Sequence, residues 1–155
     1  MTHKMPAMYG TIVVGTDGSE TAREAVSQAA DLAKTVGATV LLVSAYEPVS
    51  ETRLRHERAE VPEDVSWMVN PREDVQAVLD GEAERIKASG VNDVDTFARE
   101  GDPADAILDV AEEKGADLIV VGNKGMTGAR RFLLGSVPNK VSHHAPCNVM
   151  IVRTT

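Results

Sequence analysis

Five short apolar runs, each separated from the next by a segment of helical periodicity, leave this chain few architectures to choose from. Tyr9–Gly15, Thr39–Tyr46, Leu118–Val121 and Asn148–Arg153 are nearly continuous in apolar residues, as expected of strands buried on both faces. Asp93–Arg99 alternates and carries charge, which suits an edge strand. Between the strands, Ala22, Ala25, Val26, Ala29, Leu32, Ala33 and Val36 recur at helical spacing after a Ser19 cap, and Gly37 ends the run. A second helix begins at Pro71, with Val75, Val78, Leu79, Ala83 and Ile86 on one face, and stops at Gly90. Asp102-Pro103 opens a third, closed by Gly115, and Ser136–His144 reads as a fourth. Strands and helices in this alternation predict an α/β fold of doubly wound type, a five-stranded parallel sheet with helices on both faces.

At 155 residues the chain is long enough for one domain with a real core, placed at residues 9–153 with Met1–Met8 as a flexible N-terminus. Aromatic residues are only 3% of it, so that core must be built from Val, Ile, Leu and Ala. A net charge of −8 argues against a general affinity for nucleic acid, which needs clustered Lys and Arg. It does not exclude a small anionic ligand, because local N–H groups bind phosphate against an unfavourable overall charge. One cysteine, Cys147, cannot form an internal disulfide, and no apolar stretch has the length of a signal core or membrane span; a cytoplasmic protein is expected.

Ligands of such sheets bind beyond the C-terminal strand ends, at the topological switch point. Two sequences fall there. Gly122-Asn123-Lys124-Gly125, nine residues, then Gly135-Ser136 follow the apolar run Leu118–Val121 and open the last helix. Glycines turn sharply and leave amide donors uncovered, and a helix N-terminus adds more, so the pattern predicts a phosphate site. Gly15-Thr16-Asp17-Gly18-Ser19 leaves the first strand, where Asp17 is placed either to accept from ribose hydroxyls or approach a phosphate-bound metal, or simply to make a turn. Lys124, Arg130 and Arg131 lie inside the glycine motif as charged donors or solvated loop residues.

Other phosphate chemistries fail on the residues. There is no Gly-x-x-x-x-Gly-Lys-Ser/Thr loop, no Gly-x-Gly-x-x-Gly after the first strand and no Gly-x-Ser-x-Gly nucleophile elbow. No acidic cluster accompanies Asp17, as a phosphoacceptor domain would require, and no Cys/His cluster has zinc spacing. Glu47–Asn70, a 24-residue charged insertion holding Pro48, Pro62 and the single Trp67, is a mobile loop, a lid or a partner surface.

Val13-Val-Gly-Thr-Asp17-Gly-Ser19, Leu118–Gly122 and Gly122-x2-Gly125-x9-Gly135-Ser136-Val137 together resemble the ATP-binding branch of the universal stress protein family, from about Tyr9 to Val152. That resemblance implies the strand order 3-2-1-4-5. It also implies that Asp17 contacts the ribose, Ala45 pairs its backbone with the adenine edge, and Gly122, Gly125, Gly135, Ser136 and Val137 hold the phosphates. The candidate ligand-binding residues are Gly15, Thr16, Asp17, Ala45, Gly122, Asn123, Gly125, Met126, Arg131, Gly135, Ser136 and Val137. The resemblance further implies a homodimer through Asn148–Arg153. The Glu47–Asn70 insertion and the Lys124/Met126 pair are the departures, and they bear on nucleotide preference.

The expected function is therefore a regulatory module that binds ATP, with Mg²⁺ at the phosphates, and presents its state to a protein partner. No nucleophile or general base stands out beyond Asp17, which leaves two further readings. One is a slow ATPase or phosphotransfer enzyme in which Asp17 orients a water or metal. The other is a sensor of AMP or cyclic AMP whose Asn123-Lys124 loop holds a single phosphate.

Overall fold

A computed structural model describes residues 9–46, 71–123 and 135–154. The strands are β1 (Thr11–Gly15), β2 (Thr39–Tyr46), β3 (Val94–Glu100), β4 (Leu118–Gly122) and β5 (Asn148–Val152). The helices are α1 (Glu20–Val36), α2 (Pro71–Ala88), α3 (Pro103–Lys114) and α4 (Ser136–His144). The strands form one sheet in the order β3-β2-β1-β4-β5, and every pairing is parallel.

The local chemistry behind these elements is that of the sequence. Ser19 caps α1 by accepting from the Ala22 N–H at 3.2 Å, and Gly37 closes it with φ +73°. Asp102 caps α3 through the Asp105 N–H at 3.1 Å, with Pro103 at the first helical position. Strand ends differ from the expected ones by one or two residues. β1 begins at Thr11 rather than Tyr9, because the Asp117 carboxylate takes the N–H groups of Gly10 and Thr11 at 2.8 and 3.0 Å. There a side chain takes the N–H groups, while the carbonyls of Gly10 and Thr11 accept from the N–H groups of Thr39 and Asp117.

Alternation along the strands divides the core into two layers. Ile12, Val14, Val40, Leu42, Leu118 and Val120 face α1 and α2, meeting Ala25, Val26, Ala29, Leu79 and Ile86. Val13, Leu41, Val43, Ile119 and Val121 face α3 and α4, meeting Ala104, Ile107, Val110 and Val141. Each fully buried Val, Leu or Ile here contributes about 1.5–3 kcal/mol. The alanines on α1 let that helix lie close to the sheet.

Between α1 and α2 sits a buried carboxylate. Glu82 is only 3% exposed, and its two oxygens accept from Arg23 Nε at 3.1 Å and Arg85 Nη2 at 2.7 Å. Arg85 also donates to Ser27 Oγ at 3.0 Å, tying α2 across to α1. Among the described residues no helix is long and apolar enough to cross a membrane.

Candidate functional site

β1 and β4 lie side by side at the sheet centre, Val14 opposite Val120, so the segments that leave their C-terminal ends flank one gap. On the β1 side, Thr16 is fully buried and donates its N–H to the Val43 carbonyl at 2.9 Å. Its Oγ1 accepts from the Gly18 N–H at 3.1 Å. Asp17 is exposed, and its Oδ1 accepts from the Ser19 N–H at 2.9 Å. Asp17 is thus a turn-maker, and among the described residues the turn uses one of its two oxygens. Gly18 makes the turn possible: its φ is +82°, and a Cβ there would stand 2.8 Å from Val78 Cγ1 of α2.

β2 outruns β1. The β1–β2 register ends at Gly15 and Val43, while Ser44, Ala45 and Tyr46 continue to pair with Ala98, Arg99 and Glu100 of β3. In a parallel strand, alternate residues direct both backbone groups to the same side. Val43 accepts from Thr16 on the β1 side, and Tyr46 accepts from the Gly101 N–H on the β3 side at 2.8 Å. The N–H and C=O of Ala45 therefore face the space beyond the end of β1. An adjacent donor and acceptor stand there without a strand opposite them among the described residues.

On the β4 side, Gly122 pairs with Val152 of β5 and is followed by Asn123. Asn123 gives its N–H to the Val152 carbonyl at 2.8 Å and accepts the Gly135 N–H at 3.0 Å. That second bond brings the two ends of the glycine motif together. Gly135 is the extended N-cap of α4 and supplies no side-chain cap, so Ser136 and Val137 lead the helix with their amides. Pro138 follows without an N–H to offer. An uncapped helix N-terminus carries partial positive charge and suits an anion.

Lys140 of α4 places its Nζ 2.8 Å from Asp105 of α3 and 3.4 Å from Asp102, the N-cap of that helix. The hydrogen bond to Asp105 is the chief reason its ammonium is held above the usual lysine range. Farther off, burial pushes the Cys147 thiol up, with help from the Asp117 charge.

The structure thus brings Gly15, Thr16, Asp17, Ala45, Gly122, Asn123, Gly135, Ser136 and Val137 to one edge of the sheet. Gly125, Met126 and Arg131, with Lys124, Arg130 and the Glu47–Asn70 insertion, lie outside the described residues. Two contributors escaped the sequence reading. Val78 packs over the Gly18 turn, and Thr154 donates its N–H and its hydroxyl to Asn123 Oδ1, each at 2.9 Å. Val78 carried a signal only as an apolar position on α2; Thr154 carried none. Among the described residues no group of three or more His, Cys, Asp and Glu side chains is placed to hold a metal ion.

The model of the Universal stress protein family matches residues 8–153. A universal stress protein of Mycobacterium tuberculosis strain H37Rv is 39% identical over 147 residues, covering 95% of this chain and 98% of that protein. A solved universal stress protein in complex with cAMP is 33% identical, with a TM-score of 0.71 over 95% of this chain and 98% of that one. UspA from Lactobacillus plantarum superposes with a TM-score of 0.76 over 94% of this chain and 98% of that one; at 24% identity it speaks to the fold alone.

Proposed function

The chain belongs to the universal stress protein family, and on that premise we propose that it is an adenine-nucleotide-binding module of the family's ATP-binding branch, a homodimeric regulator rather than an enzyme. The observation that carries this reading is the uncapped amide end of α4, drawn to the end of β4 by the Gly135–Asn123 bond and set across the gap from the Asp17 turn. The amides of Ser136 and Val137 take phosphate oxygens. Asp17, with an oxygen to spare, accepts from a ribose hydroxyl. Ala45 offers the donor–acceptor pair that an adenine edge complements.

Mg²⁺ suits this donor set when phosphates supply most of its ligands. It binds through one or two carboxylates plus phosphate and water, and Asp17 is an exposed carboxylate at the same end of the sheet as the α4 amides. When bound, it would neutralise the triphosphate charge. The chain's own residues bind and orient the nucleotide. Gly125, Met126 and Arg131 complete the proposed set from the glycine motif.

The homodimer of this reading is supported by β5. It is a sheet edge with Ile151 40% exposed, and an antiparallel pairing of residues 148–153 with a second copy covers both its backbone and that side chain. The cAMP complex of a relative at 33% identity favours a second reading, a sensor of AMP or cyclic AMP. A slow ATPase is the third.

Mass spectrometry of ligand released from freshly purified protein, followed by calorimetric titration of ATP, AMP and cyclic AMP into emptied protein, separates these readings. Tightest binding of ATP without turnover supports the regulatory module. Preference for cyclic AMP or AMP replaces it with the sensor, and ATP hydrolysis lost in Asp17→Asn replaces it with the enzyme. Absence of binding by any of the three nucleotides overturns the reading.

A further inference from the structure

Asn123 lies within the glycine motif, yet its backbone N–H, its backbone C=O and its side-chain oxygen are all engaged within the protein. Its N–H goes to Val152, its C=O receives Gly135, and its Oδ1 receives both the N–H and the hydroxyl of Thr154. A backbone N–H can only donate, so the atom facing Thr154 is the amide oxygen and not the nitrogen. Two donors fill the two lone pairs of that oxygen. An oxygen so occupied fixes the orientation of the side chain; the Nδ2 group, which carries its N–H donors, is not part of this contact.

We propose that Asn123 is a positioning residue, clasped by Thr154, that holds the two ends of the glycine motif at the spacing phosphate binding requires. The inference rests on the nucleotide reading above. Its physical basis is that one residue joins three segments: the exit of β4, the N-cap of α4 and the chain just past β5. If the carboxamide is released, Asn123 keeps its backbone bonds but loses the contacts that orient it. The amides of Ser136 and Val137 are placed relative to β4 through the Asn123 carbonyl, so a shift there moves phosphate donors. It does not move Ala45, which sits on β2 on the far side of β1.

The consequence is selective. The gain in affinity from adenosine to ATP depends on the clasp, and adenosine binding does not. Calorimetry with both ligands on Thr154→Val, Thr154→Ser and Asn123→Ala reads this directly. Thr154→Val removes one donor while keeping shape, and the ATP-to-adenosine affinity ratio falls by about fivefold, the worth of one hydrogen bond. Asn123→Ala lowers the ratio further, Thr154→Ser restores it, and adding Thr154→Val to Asn123→Ala costs nothing more. A ratio unchanged in both Thr154→Val and Asn123→Ala, in protein that binds adenosine and ATP, overturns the clasp and leaves the nucleotide reading intact. Equal loss for both ligands also overturns it, since that marks general structural damage. If unaltered protein binds neither ligand, the nucleotide reading fails and the clasp's role falls with it.

Discussion

Replacing Gly18 by alanine tests the geometry of the β1 turn more sharply than any other single change. The residue has φ +82°, where an L side chain is strained by about 1–2 kcal/mol. The new Cβ would also lie 2.8 Å from Val78 Cγ1 and 3.3 Å from Cγ2. Carbon atoms rest at about 3.5–4.0 Å, so either α2 or the turn must give way. Overpacking of this kind costs about 1–3 kcal/mol. Taken together the loss is about 3 kcal/mol, which for a chain of this size lowers the melting temperature by about 6–12 °C. The two contributions separate in a double-mutant cycle measured by urea unfolding. Val78→Ala removes the obstructing methyls but not the φ strain, so the double variant is less destabilised than the sum of the singles by about 1–2 kcal/mol. Strict additivity would refute the contact, and an undiminished stability in Gly18→Ala would refute the turn conformation itself. Because the Asp17–Ser19 bond spans Gly18, the same substitution weakens nucleotide binding.

The remaining predictions concern the helix pair, the surface and the phosphate cradle. Glu82→Gln keeps the volume of a buried side chain but sets an amide among arginine donors; Arg23 and Arg85 stay partly hydrated, so the cost in thermal or urea unfolding is about 2 kcal/mol, below that of a fully enclosed pair. The hydrogen bond from Arg99 holds Glu113 below the usual carboxylate range, so its stabilisation is present above the ordinary value of 4.5 and is lost as pH falls through the lowered one. The melting-temperature difference between wild type and Glu113→Gln is therefore largest near neutrality and disappears in acid. Ser136→Ala leaves stability within about 0.5 kcal/mol, because the side chain is exposed and Gly135 is the cap, while loss of its hydroxyl, a phosphate donor beside the retained amide, weakens ATP binding by about 1 kcal/mol in calorimetry. Gly122→Ala holds or raises stability by about 0.5–1 kcal/mol, as expected in a strand, and loses nucleotide affinity; retained affinity would remove Gly122 from the site.

Much of the fold was legible because its causes are local. Strands buried on both faces are apolar without interruption, and helix ends carry Ser19, Gly37 and Asp102-Pro103, whose capping needs no distant partner. β3 announced itself as an edge through its charges, and it lies at the edge. What stayed hidden depends on relative length and register. Nothing within Thr39–Tyr46 states that β1 stops at the level of Val43, and that difference alone gives Ala45 a backbone edge facing the site. The start of β1 was misplaced by two residues because Asp117, more than a hundred positions away, supplies the acceptor that a neighbouring strand otherwise would.

The site shows the same division at the level of single glycines. Gly18 is required by the chain itself, since its φ and the nearness of Val78 exclude a side chain whether or not a ligand binds. Gly122 is different. It lies in regular strand register with Val152, its φ is not positive, and a Cβ there would meet Thr154 Cγ2 at 3.5 Å, an ordinary contact. Packing among the described residues does not explain it, and a glycine in a strand forfeits some stability. A cost with no return among the described residues is one that the close approach of a nucleotide to the backbone, as proposed above, would offset. Sequence alone cannot tell these two kinds apart, because both are written Gly at the end of a strand. Structure separates them: the described residues require a glycine at position 18 and do not require one at position 122.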